Sequence, residues 1–360
     1  MRRFIDLSFG ALLFLSIFVV MKTKHIIALS ITAAILMGTG AYFAPLFLSK
    51  NEKESIVYIY PDMGKDELAD TLKSRLGEKF GERTATMLRL LDADMTKRTG
   101  AYRIEEDMSP LHAARRLQRG GQTGVRFTFS YARTKEQFAE RVSCRLLMSK
   151  DSLLNRLNDP AFCHKYGKTP ETISSIFFPD SYEFYWTVSP DDFSDRMYDF
   201  YNAFWNEERK AKAAALGLSP DEVTTLASIV EEEIAKRDEA GKVARLYINR
   251  LRKGILLQAD PTVKFAIGDF SLRRIYGSML KTDSPYNTYM YKGLPPGPIR
   301  FAGKRTIDAV LDAPEHPYIY MCAKEDFSGY HNFTASYAEH KANARRYQRE
   351  LNRRGIKKTG

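Results

Sequence analysis

From Ile26 to Leu48 the chain carries no charged side chain, and a helix of that length, rising 1.5 Å per residue, crosses a bilayer. Arg2-Arg3, Lys22 and Lys24 precede the run, while Lys50 and Lys53 follow it with Glu52 and Glu54 offsetting them. That bias places the N-terminus in the cytoplasm and the bulk of the chain outside. No small-x-small cleavage pattern follows Leu48 and the run is long for a signal peptide, so an uncleaved anchor over 26–48 is expected. A second apolar patch, Phe9 to Val20, is short for a span. Met21-Lys22-Thr23-Lys24 supplies a compact basic head, so residues 1–20 read as an over-extended start and 1–25 as the cytoplasmic head. A two-span hairpin is the alternative, with the domain on the other side.

The 360 residues leave room for an anchor and two domains, and the chain's abundant aromatics, 22 Phe and 20 Tyr in all, make a core affordable after residue 50. A net charge of +11 suits an anionic surface such as headgroups, nucleic acid or an acidic polymer. The cations are scattered through Arg115-Arg116, Arg273-Arg274 and Arg345-Arg346, with no zinc-finger, RNA-binding or basic-zipper spacing, so no nucleic-acid partner is expected. Cys144, Cys163 and Cys322 lie far apart, show no metal spacing and imply no disulfide framework, although one pair is free to bridge outside the cytoplasm.

An α+β fold is expected. Ile56–Tyr60 reads as a strand, and Pro61-Asp62-Met63-Gly64 turns it into a helix from Lys65 to Leu76. Gly100–Ile104, the turn Asp107–Pro110 and a helix through Leu111, Ala114 and Leu117 repeat that unit. A strand at Val125–Phe129 and a helix from about Thr134 to Leu147 follow. This weak repeat of βα pieces over 49–150 resembles a LysM-like module, a small glycan-holding fold; an ordinary packing domain fits it equally. Residues 151–215 form a connecting segment. It contains the aromatic stretch Phe177–Phe184, suited to stacking on sugars though more commonly core, and an amphipathic helix from about Ser189 to Lys212.

A catalytic domain over 216–354 opens with Ser219-Pro220-Asp221-Glu222, a Ser N-cap, Pro at the first helical position and Glu three residues after the cap. The helix ends in Glu231-Glu232-Glu233. Stepping about 100° per residue, Val223, Leu226, Ala227, Val230 and Ile234 share one face. Glu232 lands on the far side, Glu231 on a flank, and Glu233 between the columns of Leu226 and Ile229. A carboxyl there is poorly solvated and its pKa should rise, as a general acid near neutral pH requires. Glu232 and Glu231, if solvated, should titrate as ordinary carboxylates. The other reading of three such residues is a helix-end charge cluster.

Asp238-Glu239 then caps, or contributes a carboxylate beside, a second helix with Val243, Leu246, Tyr247 and Leu251 that ends at Gly254. After it come polar loops: Asn249-Arg250-Leu251, Leu257-Gln258-Ala259-Asp260-Pro261-Thr262, Ser284-Pro285-Tyr286-Asn287-Thr288-Tyr289 and Gly293-Leu294-Pro295-Pro296-Gly297-Pro298. Amides and hydroxyls of this kind suit sugar hydroxyls and N-acetyl groups. No His sits near the glutamates in sequence: His164 is well before them, and His316, His331 and His340 come late. HExxH, GxSxG and Gly-rich phosphate loops are absent.

Leu226-Ala227-Ser228-Ile229-Val230-Glu231-x-Glu233, Tyr247-Ile248-Asn249-Arg250-Leu251, Leu257-Gln258-x-Asp260-Pro261-Thr262-Val263, Tyr286-Asn287-Thr288-Tyr289 and Gly293–Ile299 resemble, in order and spacing, the endolytic murein transglycosylase (YceG-like) family. Phe178-Pro179-Asp180-Ser181-Tyr182, Tyr102-Arg103-Ile104 and the anchor fit too, so the resemblance covers roughly 22–350. It implies a single-pass inner-membrane lyase facing the cell wall. The enzyme would cut the β-1,4 bond between N-acetylmuramic acid and N-acetylglucosamine inside glycan strands, without metal or cofactor. Cell-wall synthases are the further partners it suggests.

The catalytic acid belongs to the Ser-Ile-Val-Glu-x-Glu segment. The helical face selects Glu233, with Glu231 the alternative. Glu239 matches a second acidic position of the family, and Asn249, Gln258, Asp260, Thr262, Tyr286, Asn287 and Tyr289 are expected to hold the sugars. Two rival functions remain: a water-using muramidase with Glu239 or Asp260 as second carboxylate, and a peptidoglycan-binding scaffold.

Overall fold

A computed structural model describes residues 5–355 apart from Thr96, Arg273, Arg274 and Tyr276, with backbone alone for 5–21. The paired arginines expected at 273–274 therefore lie outside the described residues. The chain divides into two compact units, residues 1–124 and 125–360; the boundaries expected near 150 and 215 both fall inside the second.

The first unit begins with α1 (Ile5–Leu48), one unbroken helix through Met21–Lys24, so the two apolar patches form no hairpin. Its segment Lys22–Leu48 is long and apolar enough to cross a membrane. The hydroxyls of Ser30, Thr32 and Thr39 donate to carbonyls one turn back, at 2.8–2.9 Å. Within an apolar medium those bonds leave no hydroxyl unsatisfied. Asn51, buried just after the helix, donates to the carbonyls of Ile104 and Glu105.

Next come β1 (Ser55–Ile59), α2 (Lys65–Leu76), α3 (Glu78–Leu90), β2 (Gly100–Ile104) and α4 (Pro110–Arg119). β1 pairs antiparallel with β2, from Ser55 opposite Ile104 to Ile59 opposite Gly100. The two pieces that read as a tandem repeat are thus the halves of one βααβ unit, with α4 packed after it. α2 and α3 cross at Gly81, where a β-carbon would stand 2.5 Å from the Leu72 carbonyl carbon. Val57, Ile59, Leu72, Ile104 and Leu117 fill the space between sheet and helices, as the alternation of the strands requires.

The second unit holds β3 (Gly124–Phe129), α5 (Lys135–Ser143), α6 (Lys150–Asn158), α7 (Pro160–Lys165) and β4 (Asp180–Tyr185), and β3 pairs with β4. The aromatic stretch is core: Phe177 and Phe178 are buried, and Phe138 packs on Phe177 and Phe301 at 4.8 and 4.7 Å between centroids. The helix expected over 189–212 is two, α8 (Pro190–Phe204) and α9 (Glu207–Leu216). Asn206 is the reason, because its side chain caps α9 by accepting from Arg209 N.

α10 (Pro220–Glu233) has the expected Ser219–Glu222 capping box. It packs against α9, α11 (Ala240–Arg252), α12 (Asp260–Ile267) and α13 (Lys304–Leu311). Every residue from Val223 to Val230 is buried, Thr224, Thr225 and Ser228 included. No face of this helix is left to solvent along its middle, and that overturns the solvated far side expected for Glu232. The hairpin β5 (Tyr320–Ala323) and β6 (His331–Thr334) and the final helix α14 (Tyr337–Arg353) complete the unit.

Candidate active site

The three glutamates end α10 at its C-terminus, where the helix dipole disfavours negative charge and the last turn holds no basic residue. Two of them are neutralised from outside. Glu232 receives a bidentate fork from Arg133, Nε at 3.1 Å and Nη2 at 2.8 Å to Oε2 and Oε1 also within reach of Nε, and a further bond from Arg300 Nη1 at 2.9 Å. Glu231 accepts from Gly303 N at 3.0 Å, with Arg300 Nε 3.7 Å away. Both arginines lie over the Tyr131 ring, at 5.0 and 4.4 Å. Glu232 is only 13% exposed, so it is an internal ion-pair carboxylate and not a solvated one.

Glu233 has no hydrogen bond or ion pair to any described residue. It lines a cavity of about 310 Å³ with Tyr247, Arg250, Gln258, Asp260, Tyr289, Tyr320, Tyr337 and His340. Part of its surface opens to that cavity while protein crowds the rest. Burial, and secondarily the negative charge of Asp260, push its pKa up to about 7, with Lys264 opposing. The carboxyl is thus divided between acid and base forms near neutral pH.

The cavity walls are held by the loops that the sequence singled out. Asp260, first residue of α12, accepts from Tyr289 Oη at 2.6 Å. Gln258 adopts a left-handed backbone, φ 52°, which costs a non-glycine residue on the order of 1 kcal/mol. Its N donates to Thr288 O, and its Oε1 accepts from Arg250 Nη2 at 2.6 Å. Burial lowers the Arg250 pKa, but a guanidinium stays charged.

Of the expected residues, Glu233, Gln258, Asp260 and Tyr289 meet at this cavity. The others stand behind it or away from it. Thr262 is buried and shares a hydroxyl bond of 2.8 Å with Thr288. Asn287, fully buried, staples its loop through Leu280 O, Thr282 O and Tyr289 N. Asn249 donates to His316 O and Tyr318 O. Tyr286 packs on Phe265, and burial lifts its pKa to about 12. Glu239 makes no side-chain cap; instead its two oxygens accept from His331 N and face Nδ1, at 3.0 and 2.9 Å.

Arg250, Tyr247, Tyr320, Tyr337 and His340 were not anticipated at the site. Arg250 carried a signal: with Val243 and Tyr247 it falls at i, i+4, i+7, a charge on an apolar stripe. His340, late in the sequence, reaches the cavity because Arg250 Nη1 holds Ile319 O and α14 packs on β5. The Pro-rich loop docks through Ser228 Oγ, which accepts from Ile299 N. At Gly297 a β-carbon would stand 2.0 Å from Glu171 O, so only glycine passes there.

An unpaired carboxyl near pKa 7, a second carboxylate and amide and phenol donors in one cavity define a general acid–base site for a polar, hydroxyl-rich substrate. The model of the YceG-like family matches residues 57–346, and the chain belongs to that family. It is 30% identical over 264 residues to a protein of Bacillus subtilis (strain 168) named endolytic murein transglycosylase, covering 69% of this chain and 72% of that one. A Streptococcus pneumoniae (strain R6) protein of the same name is 24% identical over 259 residues, and the chain spans 46% of its length. The solved structure of a YceG-like protein from Listeria monocytogenes shares the fold, with TM-score 0.54 and 24% identity over 81% of this chain and 98% of that one.

Proposed function

We propose that this protein is a membrane-anchored lytic transglycosylase that cleaves peptidoglycan glycan strands internally, with Glu233 as its acid and base. The observation that carries the assignment of Glu233 is the contrast within its own turn: it is the one of three adjacent glutamates without a cation or donor among the described residues. Protonated, Glu233 gives its proton to the glycosidic oxygen as the bond to the muramic C1 breaks. Ionised, it takes the proton from the muramic C6 hydroxyl, whose oxygen closes on C1 to form the 1,6-anhydro ring. One carboxyl returns to its starting state each cycle, and the nucleophile belongs to the substrate. Gln258, Asp260 and Tyr289 position the sugars, and the substrate's N-acetyl oxygen shares in stabilising the cationic centre. Thr262 and Asn287 support those loops from behind, and Asn249 holds the segment at His316 and Tyr318. Tyr286 and Glu239 bear on the site through the elements they hold.

The apolar segment 22–48 supports a single span with the residues after Lys50 outside the cytoplasm. A reporter fused after Gly360 that works only in the cytoplasm would overturn this. The βααβ arrangement of β1, α2, α3 and β2 supports a LysM-like role in holding glycan. Cell-wall synthases, as neighbours in strand growth, fit the anchor.

Mass spectrometry of muropeptides from purified sacculi tests the reaction. The lyase yields 1,6-anhydro ends, lighter by one water than hydrolysis products. Asp260, whose charge acts on Glu233, favours a water-using muramidase as second reading, and reducing ends without anhydro product would select it.

A further inference from the structure

The turn that ends α10 borders a second cavity, of about 730 Å³, lined by Asp180, Glu231, Arg237, Arg300, Lys304 and Arg305 together with Ile234 and Ala235. Positions 231 and 233 stand about 200° apart on a helix, so this cavity lies across the helix end from the one that holds Glu233. Its charges do not cancel. Arg133 and Arg300 are matched by Glu231 and Glu232, and Lys304 by Asp180 at 2.7 Å. The exposed side chains of Arg237 and Arg305 have no ion pair or hydrogen bond to any described residue. Two guanidiniums therefore face this space without a counter-charge.

A glycan backbone is neutral in its hydroxyl and acetamido groups and offers nothing to those cations. The peptides hung on its muramic lactyl groups end in carboxylates, which a guanidinium fork binds through two parallel bonds. A polymer threaded to Glu233 across the helix end brings them to this side. We infer that the cavity lined by Arg237 and Arg305 is a subsite for stem-peptide carboxylates of the strand being cleaved. The inference rests on the proposed action on peptidoglycan, and it makes the enzyme a reader of peptide-bearing strands.

The test is binding rather than turnover. Full-length protein carrying Glu233→Gln is co-sedimented with purified sacculi, native or amidated with carbodiimide and methylamine. Arg237→Gln/Arg305→Gln should weaken binding to native sacculi roughly 3- to 10-fold, as expected for two exposed charge pairs, and leave binding to amidated sacculi unchanged. Arg345→Gln/Arg349→Gln on α14 removes the same charge from equally exposed positions that do not line this cavity and should change native binding by less than about twofold. Equal losses for the two variants would reduce the effect to general attraction by a cationic protein and overturn the subsite. So would an equal loss on amidated sacculi, or no loss at all. Because Arg237 and Arg305 have no partners to lose, both variants should unfold at the parent's temperature. Charge-selective binding with no anhydro product from the wild type would remove the cleavage reading alone. Anhydro product with unselective binding would remove the subsite alone.

Discussion

Two sides of one helical turn treat the same side chain in opposite ways. On one side Glu231 and Glu232 are held by Arg133, Arg300 and the Gly303 amide; on the other Glu233 sits in a cavity with another carboxylate, Asp260, and no cation among the described residues is bonded to it. All three suffer the unfavourable end of the α10 dipole. Ion pairing converts the first two into parts of the framework that joins the β3–α5 loop and the Pro-rich loop to α10. Its omission leaves the third free to change protonation near neutral pH, as the proposed acid role requires. Burial alone does not make a catalytic acid; burial without a partner does, because pairing would hold the carboxyl ionised.

Four substitutions test that contrast, and they differ in the size of effect expected. Glu233→Gln should lower the rate of anhydromuropeptide release by about 10²–10⁴-fold, the share usually carried by a general acid–base group. Glu231→Gln, which loses one amide bond, should retain most of it. The reverse ranking would transfer the acid role to Glu231. Next, Glu232→Gln should destabilise the fold by about 2 kcal/mol, since it leaves two part-buried guanidiniums short of a partner. Urea unfolding measures this, and a silent variant would show the network to be solvated after all.

The third effect is a gain. Glu233 has a folded-state pKa of about 7 against an ordinary 4.5, so the folded state binds that proton more tightly than the unfolded chain does. Its contribution to stability is full below about 4.5 and is lost as pH rises to 7. Glu233→Gln, neutral throughout, should therefore exceed the wild type at pH 8 by on the order of 2 kcal/mol, discounted for its partial exposure. The gap should close towards pH 4.5, and thermal unfolding at both pH values reads it. The smallest effect is Tyr289→Phe. Losing the 2.6 Å bond to Asp260 leaves that charge less shielded, which should move the alkaline limb of kcat/KM upward by a few tenths of a pH unit, well under the spread of folded-protein values. A downward shift would show that Tyr289 acts on Glu233 by another route.

Much of this was legible from local rules. The capping box at Ser219, the strand at Gly100–Ile104 and the helix at Lys65–Leu76 follow from residues adjacent in sequence, and the structure reproduces them. The phase that puts Glu233 with Leu226 and Ile229 also needs only one helix. What failed needed tertiary context. Helical phase gives the side of a helix a residue occupies, and it could not say that Glu232's side is enclosed by Arg133, a hundred positions earlier. Nor could spacing reveal that α14 carries His340 and Tyr337 to the cavity, or that Asn206 ends α8 by capping its successor. Glu239 looked like a cap because its neighbours fit the pattern; the part-buried His331 that claims it lies far along the chain, in the β5–β6 hairpin.

The most direct test of the central claim is the titration of the Glu233 carboxyl itself. Carbon-detected NMR on glutamate-labelled protein, with the resonance assigned by its disappearance in Glu233→Gln, follows that single group. An unpaired carboxyl crowded by protein and facing Asp260 predicts a midpoint of about 7. A midpoint near the ordinary 4.5 would mean that Glu233 is solvated or paired, and the division of labour within the turn would not stand.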